Sequence, residues 1–175
     1  MKTFKFLTIA ALALVFFAVS AQAQKKTTKK STASKTTPAA ATTAAAEIRA
    51  GAEKVSVQLN NVALFAYKLG GIATGLEDMD KGARTKPLSP AAARIHNANK
   101  QAVIQYIHGL QIGLAELEVE FRTKPNLKKF QFNVGGVSNL VGQSEDLAAG
   151  GQFTESGKVL LQVIQKLSDT LVAMP

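Results

Sequence analysis

Haem iron in a helical bundle is held by a histidine and a methionine, and this chain has few candidates for either role. His96 lies seven residues before Val103, so at about 100° per residue it falls near the apolar stripe of its segment. His108 stands two residues from Leu110 and points nearly opposite, so the two histidines cannot share one iron from one helix. Met79 falls in a connecting stretch and Met174 at the extreme C-terminus, neither placed to face His96. No Glu-x-x-His pair exists to hold a diiron centre. Neither a cofactor nor a metal site is expected.

Hydrolytic chemistry finds equally little to work with. The chain has no Gly-x-Ser-x-Gly elbow, no cysteine and only two histidines to serve as base. Glu116, Glu118 and Glu120 alternate, which on a helix leaves Glu116 and Glu120 together on one flank. With Arg122 and Lys124 nearby they read as a solvated face. Gly70 to Gly75 lacks the Gly-Lys-Ser/Thr ending of a phosphate loop and follows no strand. Asp78, Asp80 and Gly82 imitate the opening of a calcium loop, but the glycine comes one place early and Ser89 stands where the bidentate glutamate belongs. In an antiparallel hairpin turning near Arg84, Asn60 and Asn61 stand level with Tyr106 to His108, a set expected to form a buried hydrogen-bond cluster that fixes register, the alternative being a ligand contact point. No catalytic residue is assigned, and the chain is expected not to be an enzyme.

The elements that would position these residues are helical. Ile48, Ala52, Val55, Leu59, Val62, Ala66, Leu69, Ile72 and Leu76 step by three or four along a first helix. Gly70-Gly71 threatens it with a kink, since each glycine costs about 1 kcal/mol relative to alanine. Ser89-Pro90 restarts the pattern, with an N-cap oxygen followed by a proline that has no N–H to leave unpaired. The second stripe is Val103, Tyr106, Leu110, Leu114, Leu117 and Phe121, stopped by Lys124-Pro125. Asn126 is expected to cap a third helix bearing Leu127, Phe130, Val134, Val137, Val141 and Ala148. Alternation at Phe130, Phe132 and Val134 also fits a strand, but nothing elsewhere could pair with it. Thr154 is expected to cap a fourth helix carrying Leu160, Ile164, Leu167 and Leu171.

The predicted fold is all-α: an antiparallel four-helix bundle with two long helices of about 50 Å and two shorter ones of about 30 Å. The long hairpin would overhang the short one. An apolar stripe on that overhang needs a cover, which makes a homodimer the expectation unless Gly70-Gly71 folds the excess back.

Residues 1–23 address the chain. Lys2 and Lys5 precede the apolar run Phe6 to Val19, and Ala21-Gln22-Ala23 supplies the small-x-small site of a cleaved export signal. A periplasmic or secreted location follows, with no transmembrane segment after cleavage. Residues 24–46 are rich in Lys, Thr and Ala and are expected to be a disordered tail whose Ala-rich end, Ala39 to Ala46, can feed directly into the first helix, with 47–175 as the bundle. Of the net charge of +9, all but +2 belongs to the N-terminal residues 1–46. Of 21 Lys and Arg, two lie in 1–23 and five in 24–46, leaving 14 against all 12 acids in the bundle. A bundle so near neutrality argues against sequence-specific nucleic-acid binding. Residues 24–46 read first as a solvated spacer; in the sharper reading Lys25, Lys26, Lys29, Lys30 and Lys35 are candidate contacts for an anionic polymer or envelope surface. Without cysteine, packing alone holds the fold. The expected function is therefore that of an exported, non-enzymatic bundle that binds or scaffolds at the cell envelope, with an envelope protein or anionic polymer as partner. The alternative is a periplasmic carrier of a small apolar ligand or haem. No stretch carries a family motif, and a bundle architecture does not imply a function.

Overall fold

The computed structural model describes residues 39–175. Residues 1–23, expected to be an export signal, and the five tail lysines lie outside the described residues. Four rods form the bundle: α1 (Ala39–Thr85), α2 (Pro90–Thr123), a composite third rod and α5 (Phe153–Ala173). The third rod runs through a 3₁₀ turn (Lys128–Phe130), α3 (Gln131–Val134) and α4 (Val137–Ala149). Among the described residues there is no strand, and the chain is an all-α, antiparallel four-helix bundle. No helix among them is long and apolar enough to cross a membrane.

Apolar residues recurring every three and four positions generate this arrangement. On α2 the buried residues are His96, Val103, Ile107, Leu110, Leu114, Leu117 and Phe121. On α5 they are Phe153, Ser156, Leu160, Val163, Leu167 and Thr170, with Met174 just beyond. Along the third rod Leu127, Phe130, Val134, Val137, Val141, Ser144 and Ala148 keep the same stepping. A mean period of 3.5 is that of bundles packed knobs into holes. Around the bundle α1 packs on α5, α5 on α4, α4 on α2 and α2 on α1, the last seam being the loosest of the four.

The structure departs from the sequence reading at several places. Residues 39–46, the Ala-rich end of the segment assigned to the tail, do feed into the first helix and form the first two turns of α1; six of these eight residues are alanine, which gives up the least entropy in a helix. Gly70 and Gly71 neither break nor end α1. Leu69, Ala73 and Leu76 are all buried around them, and that packing outweighs the glycine cost. The acidic stretch Glu77 to Asp80 is helical too, so α1 is 47 residues long. Tyr106 is half-exposed and Ile107 takes its expected place in the core. Ile72 likewise yields to Ala73.

The third rod is broken. Gly136 adopts φ +86°, a left-handed conformation open to glycine at little cost, and separates α3 from α4 without shifting the buried register. Asn126 caps nothing; its Nδ2 donates to Glu47 Oε2 at 2.6 Å. Thr154 is not the cap of α5 either, because Gln152 holds that position without a side-chain bond. Ser89 does cap α2, its Oγ accepting from Ala92 N at 3.3 Å ahead of Pro90. Gly51 is buried where α1 meets the other end of the bundle, and a Cβ there would lie 2.6 Å from Leu127 Cδ2.

The α1–α2 hairpin does extend past α5 at its turn. Its buried stripe, however, stops at Leu76 and His96, and Met79 and Ile95 are the large apolar side chains exposed beyond it. The length mismatch alone therefore does not call for a second copy.

Candidate functional site: a polar cap beside an apolar seam

At the level where α5 begins, α1 and α2 bring together three ionisable groups. The second residue of the acidic stretch in α1 that faces inward is Asp80, while His96 and Lys100 come from successive turns of α2. Asp80 Oδ1 lies 2.7 Å from His96 Nε2, and Oδ2 lies 2.7 Å from Lys100 Nζ. An ionised carboxylate only accepts, so Nε2 carries the hydrogen of this bond. The Lys100 ammonium also sits 6.0 Å from the ring centroid of Phe153, the first residue of α5. One helical turn earlier, Glu77 Oε1 accepts the backbone N–H of Thr154 at 2.7 Å. The four residues Glu77, Asp80, His96 and Lys100 thus tie the hairpin to the start of α5.

The electrostatics follow from this packing. Burial pushes the Asp80 carboxyl up, but hydrogen bonds and charges from Lys100 and His96 outweigh it and hold its pKa below the usual value. His96 is 4% exposed, and its Nδ1 is buried without a hydrogen-bond partner. A histidine oriented by a carboxylate is two-thirds of an acyl-transfer triad. The remaining third is missing among the described residues, since no hydroxyl bonds to Nδ1. The cluster has the composition of a cap that closes the core.

Other polar residues singled out in the sequence are spent on joining rods. Glu118 Oε1 accepts the N–H of Ser138 at 2.8 Å, satisfying a free donor in the first turn of α4. Glu120 accepts from Lys54 at 2.5 Å and from Lys124. Burial raises the Glu120 carboxyl, and the two lysines more than offset that and lower it. The bond to Glu120 raises Lys124 in turn. Only Glu116 keeps the solvated role expected of all three. The cluster expected at Asn60, Asn61, Tyr106 and His108 does not form. Asn60 is exposed, His108 pairs with Glu145 at 3.2 Å, and Tyr106 stacks on Phe65. Sequence reasoning missed Ser144 and Ser156, whose buried hydroxyls bond each other at 2.7 Å between α4 and α5. Their heptad positions were the available signal.

His96 and Met174 stand at opposite ends of α5, the first near Phe153 and the second against Gly51, so they cannot reach a common iron. Among the described residues no group of three His, Cys, Asp or Glu side chains converges as metal ligands would.

Beside the cap, the loose α1–α2 seam leaves apolar surface uncovered. Ile72 is 48% exposed, Tyr106 50%, Met79 40% and Ile95 64%. Ile72, Tyr106 and Met79 line a groove whose floor is Leu69, Leu76 and Val103. No family model, curated protein or solved structure matches this chain.

Proposed function

We propose that this chain is an exported, non-enzymatic helical bundle that acts by contact at the cell envelope, through a partner protein or an anionic polymer. The observation that carries this reading is the uncovered apolar seam between α1 and α2. The interior is filled by side chains, and the polar clusters are occupied in joining the rods to one another, which leaves the surface as the means of action. An apolar strip flanked by polar residues is the surface of a contact protein. Lys25, Lys26, Lys29, Lys30 and Lys35 add a cationic arm in sequence, suited to a salt-sensitive hold on acidic polymers.

The test is cosedimentation of the chain beginning at Gln24 with isolated envelopes, at low and high salt. Replacing the five lysines by alanine is expected to reduce binding at low salt only. Exchanging Ile72 and Tyr106 for serine is expected to reduce it at both salt concentrations, because apolar contact is not screened. Binding that neither variant changes would defeat the proposal.

A further inference from the structure

The open groove in the α1–α2 seam has a volume of about 700 Å³, larger than four other grooves on the described residues and within the usual range for small-molecule sites. Phe65, Ile72 and Met79 line its α1 wall at heptad intervals, facing Ala102 and Tyr106 on α2. Gly71 and Gly75 belong to the same wall and leave it hollow: a Cβ at either would meet nothing within 4 Å. The Phe65 and Tyr106 rings stack at 4.5 Å between centroids, 13° from parallel, and close one end.

Charge is distributed unevenly along this groove. Lys68, next to the stacked end, is its single ionisable lining residue apart from the Tyr106 phenol, and no carboxylate lines it. The neighbouring grooves differ: one carries Glu77, Asp80 and Glu155, another Glu53, Glu116 and Glu120. Lys68 takes part in none of the ion pairs among the described residues. From Phe65 to Met79 the wall rises about 21 Å at 1.5 Å per residue. The groove is thus long and mainly apolar, with Asn99 on its α2 wall, and cationic at one end.

We propose that this groove binds one long-chain fatty acid, its chain along Ile72 and Met79 and its carboxylate beside Lys68. The site is the same α1–α2 seam on which the envelope reading rests, so a fatty acid lodged there would compete with envelope contact through Ile72 and Tyr106; oleate titration and envelope sedimentation are separate readouts, and either reading can fail alone.

Calorimetric titration of the chain beginning at Gln24 with sodium oleate, below its micellar concentration, tests the site. One saturable site per chain is expected. Gly75→Leu fills the groove from a position where a side chain meets no obstacle, so it should weaken oleate at least tenfold while the melting temperature holds or rises. Lys68→Glu should weaken oleate about tenfold and leave oleyl alcohol, which lacks the charge, nearly unchanged. Absence of saturable binding overturns the proposal, as does unchanged oleate affinity in Gly75→Leu. A dimer that oleate leaves intact and Gly75→Leu dissociates would assign the groove to a second copy instead.

Discussion

Asp80 is the carboxylate on which the turn end of the bundle depends. It accepts from both His96 and Lys100, and its pKa is depressed from an ordinary 3.8. A depressed folded-state pKa means that the ionised form binds the fold better than the protonated form does. The stability it contributes is therefore complete above the unfolded value and drains away as pH falls through the lower, folded one. Glu120, held by Lys54 and Lys124, acts with the same sign. Asp80→Asn is expected to cost about 1–3 kcal/mol at neutral pH, since it weakens a charged pair and leaves His96 and Lys100 poorly satisfied. Its stability should also fall less steeply than that of the wild type as pH drops below about 4. Urea midpoints measured across that range check both; two profiles that stay parallel would remove Asp80 from this role. The Ser144–Ser156 pair shows the neutral counterpart, two buried hydroxyls that satisfy each other and need no charge.

Glycines divide the rods into those that need them and those that tolerate them. Gly136 sits at φ +86°, so Gly136→Ala is expected to lose about 1–2 kcal/mol. Gly71 lies mid-helix in open space, so Gly71→Ala should gain about 0.5–1 kcal/mol. Opposite signs in urea unfolding are the expected outcome, and equal signs would contradict the backbone argument. The same contrast explains what could be read in the sequence. Heptad stepping of Val55, Val62, Leu69 and Leu76, and of the residues from Leu127 to Ala148, marks buried faces because burial is periodic. Ser89-Pro90 marks a boundary because capping is local chemistry. Whether Gly70-Gly71 breaks α1 depends instead on what Leu69 and Ala73 pack against, which no local rule supplies. Choosing Tyr106 over Ile107 was a like error, since both fit a stripe of three- and four-residue steps and only the position of α1 separates them. The polar cap was the hardest to see. Asp80 and His96 were each visible, but their meeting requires that α1 stay helical to Thr85, where the sequence suggested a connection.

The last rod is the one that closes the bundle. α1 and α5 form the most extensive seam, joining the first described element to the last, so the ring stays open until the C-terminal residues have docked. Five large apolar side chains of this segment, Phe153, Leu160, Val163, Leu167 and Met174, are buried. At about 1.5–3 kcal/mol each they contribute roughly 7–15 kcal/mol, as much as the net stability of a typical domain. A chain ending at Gln152 also strips cover from α1, Leu69 included, along its most extensive seam. It is expected to show no cooperative thermal transition by circular dichroism and to bind a hydrophobic dye as collapsed, loosely packed chains do. Trimming the other end should behave differently, because Thr42, Thr43, Ala45 and Ala46 are exposed. A chain beginning at Glu47 is expected to stay within about 0.5 kcal/mol of the full one. The paired truncations separate helix that merely extends from helix that closes a core, and a sharp transition in the chain ending at Gln152 would show that three rods suffice.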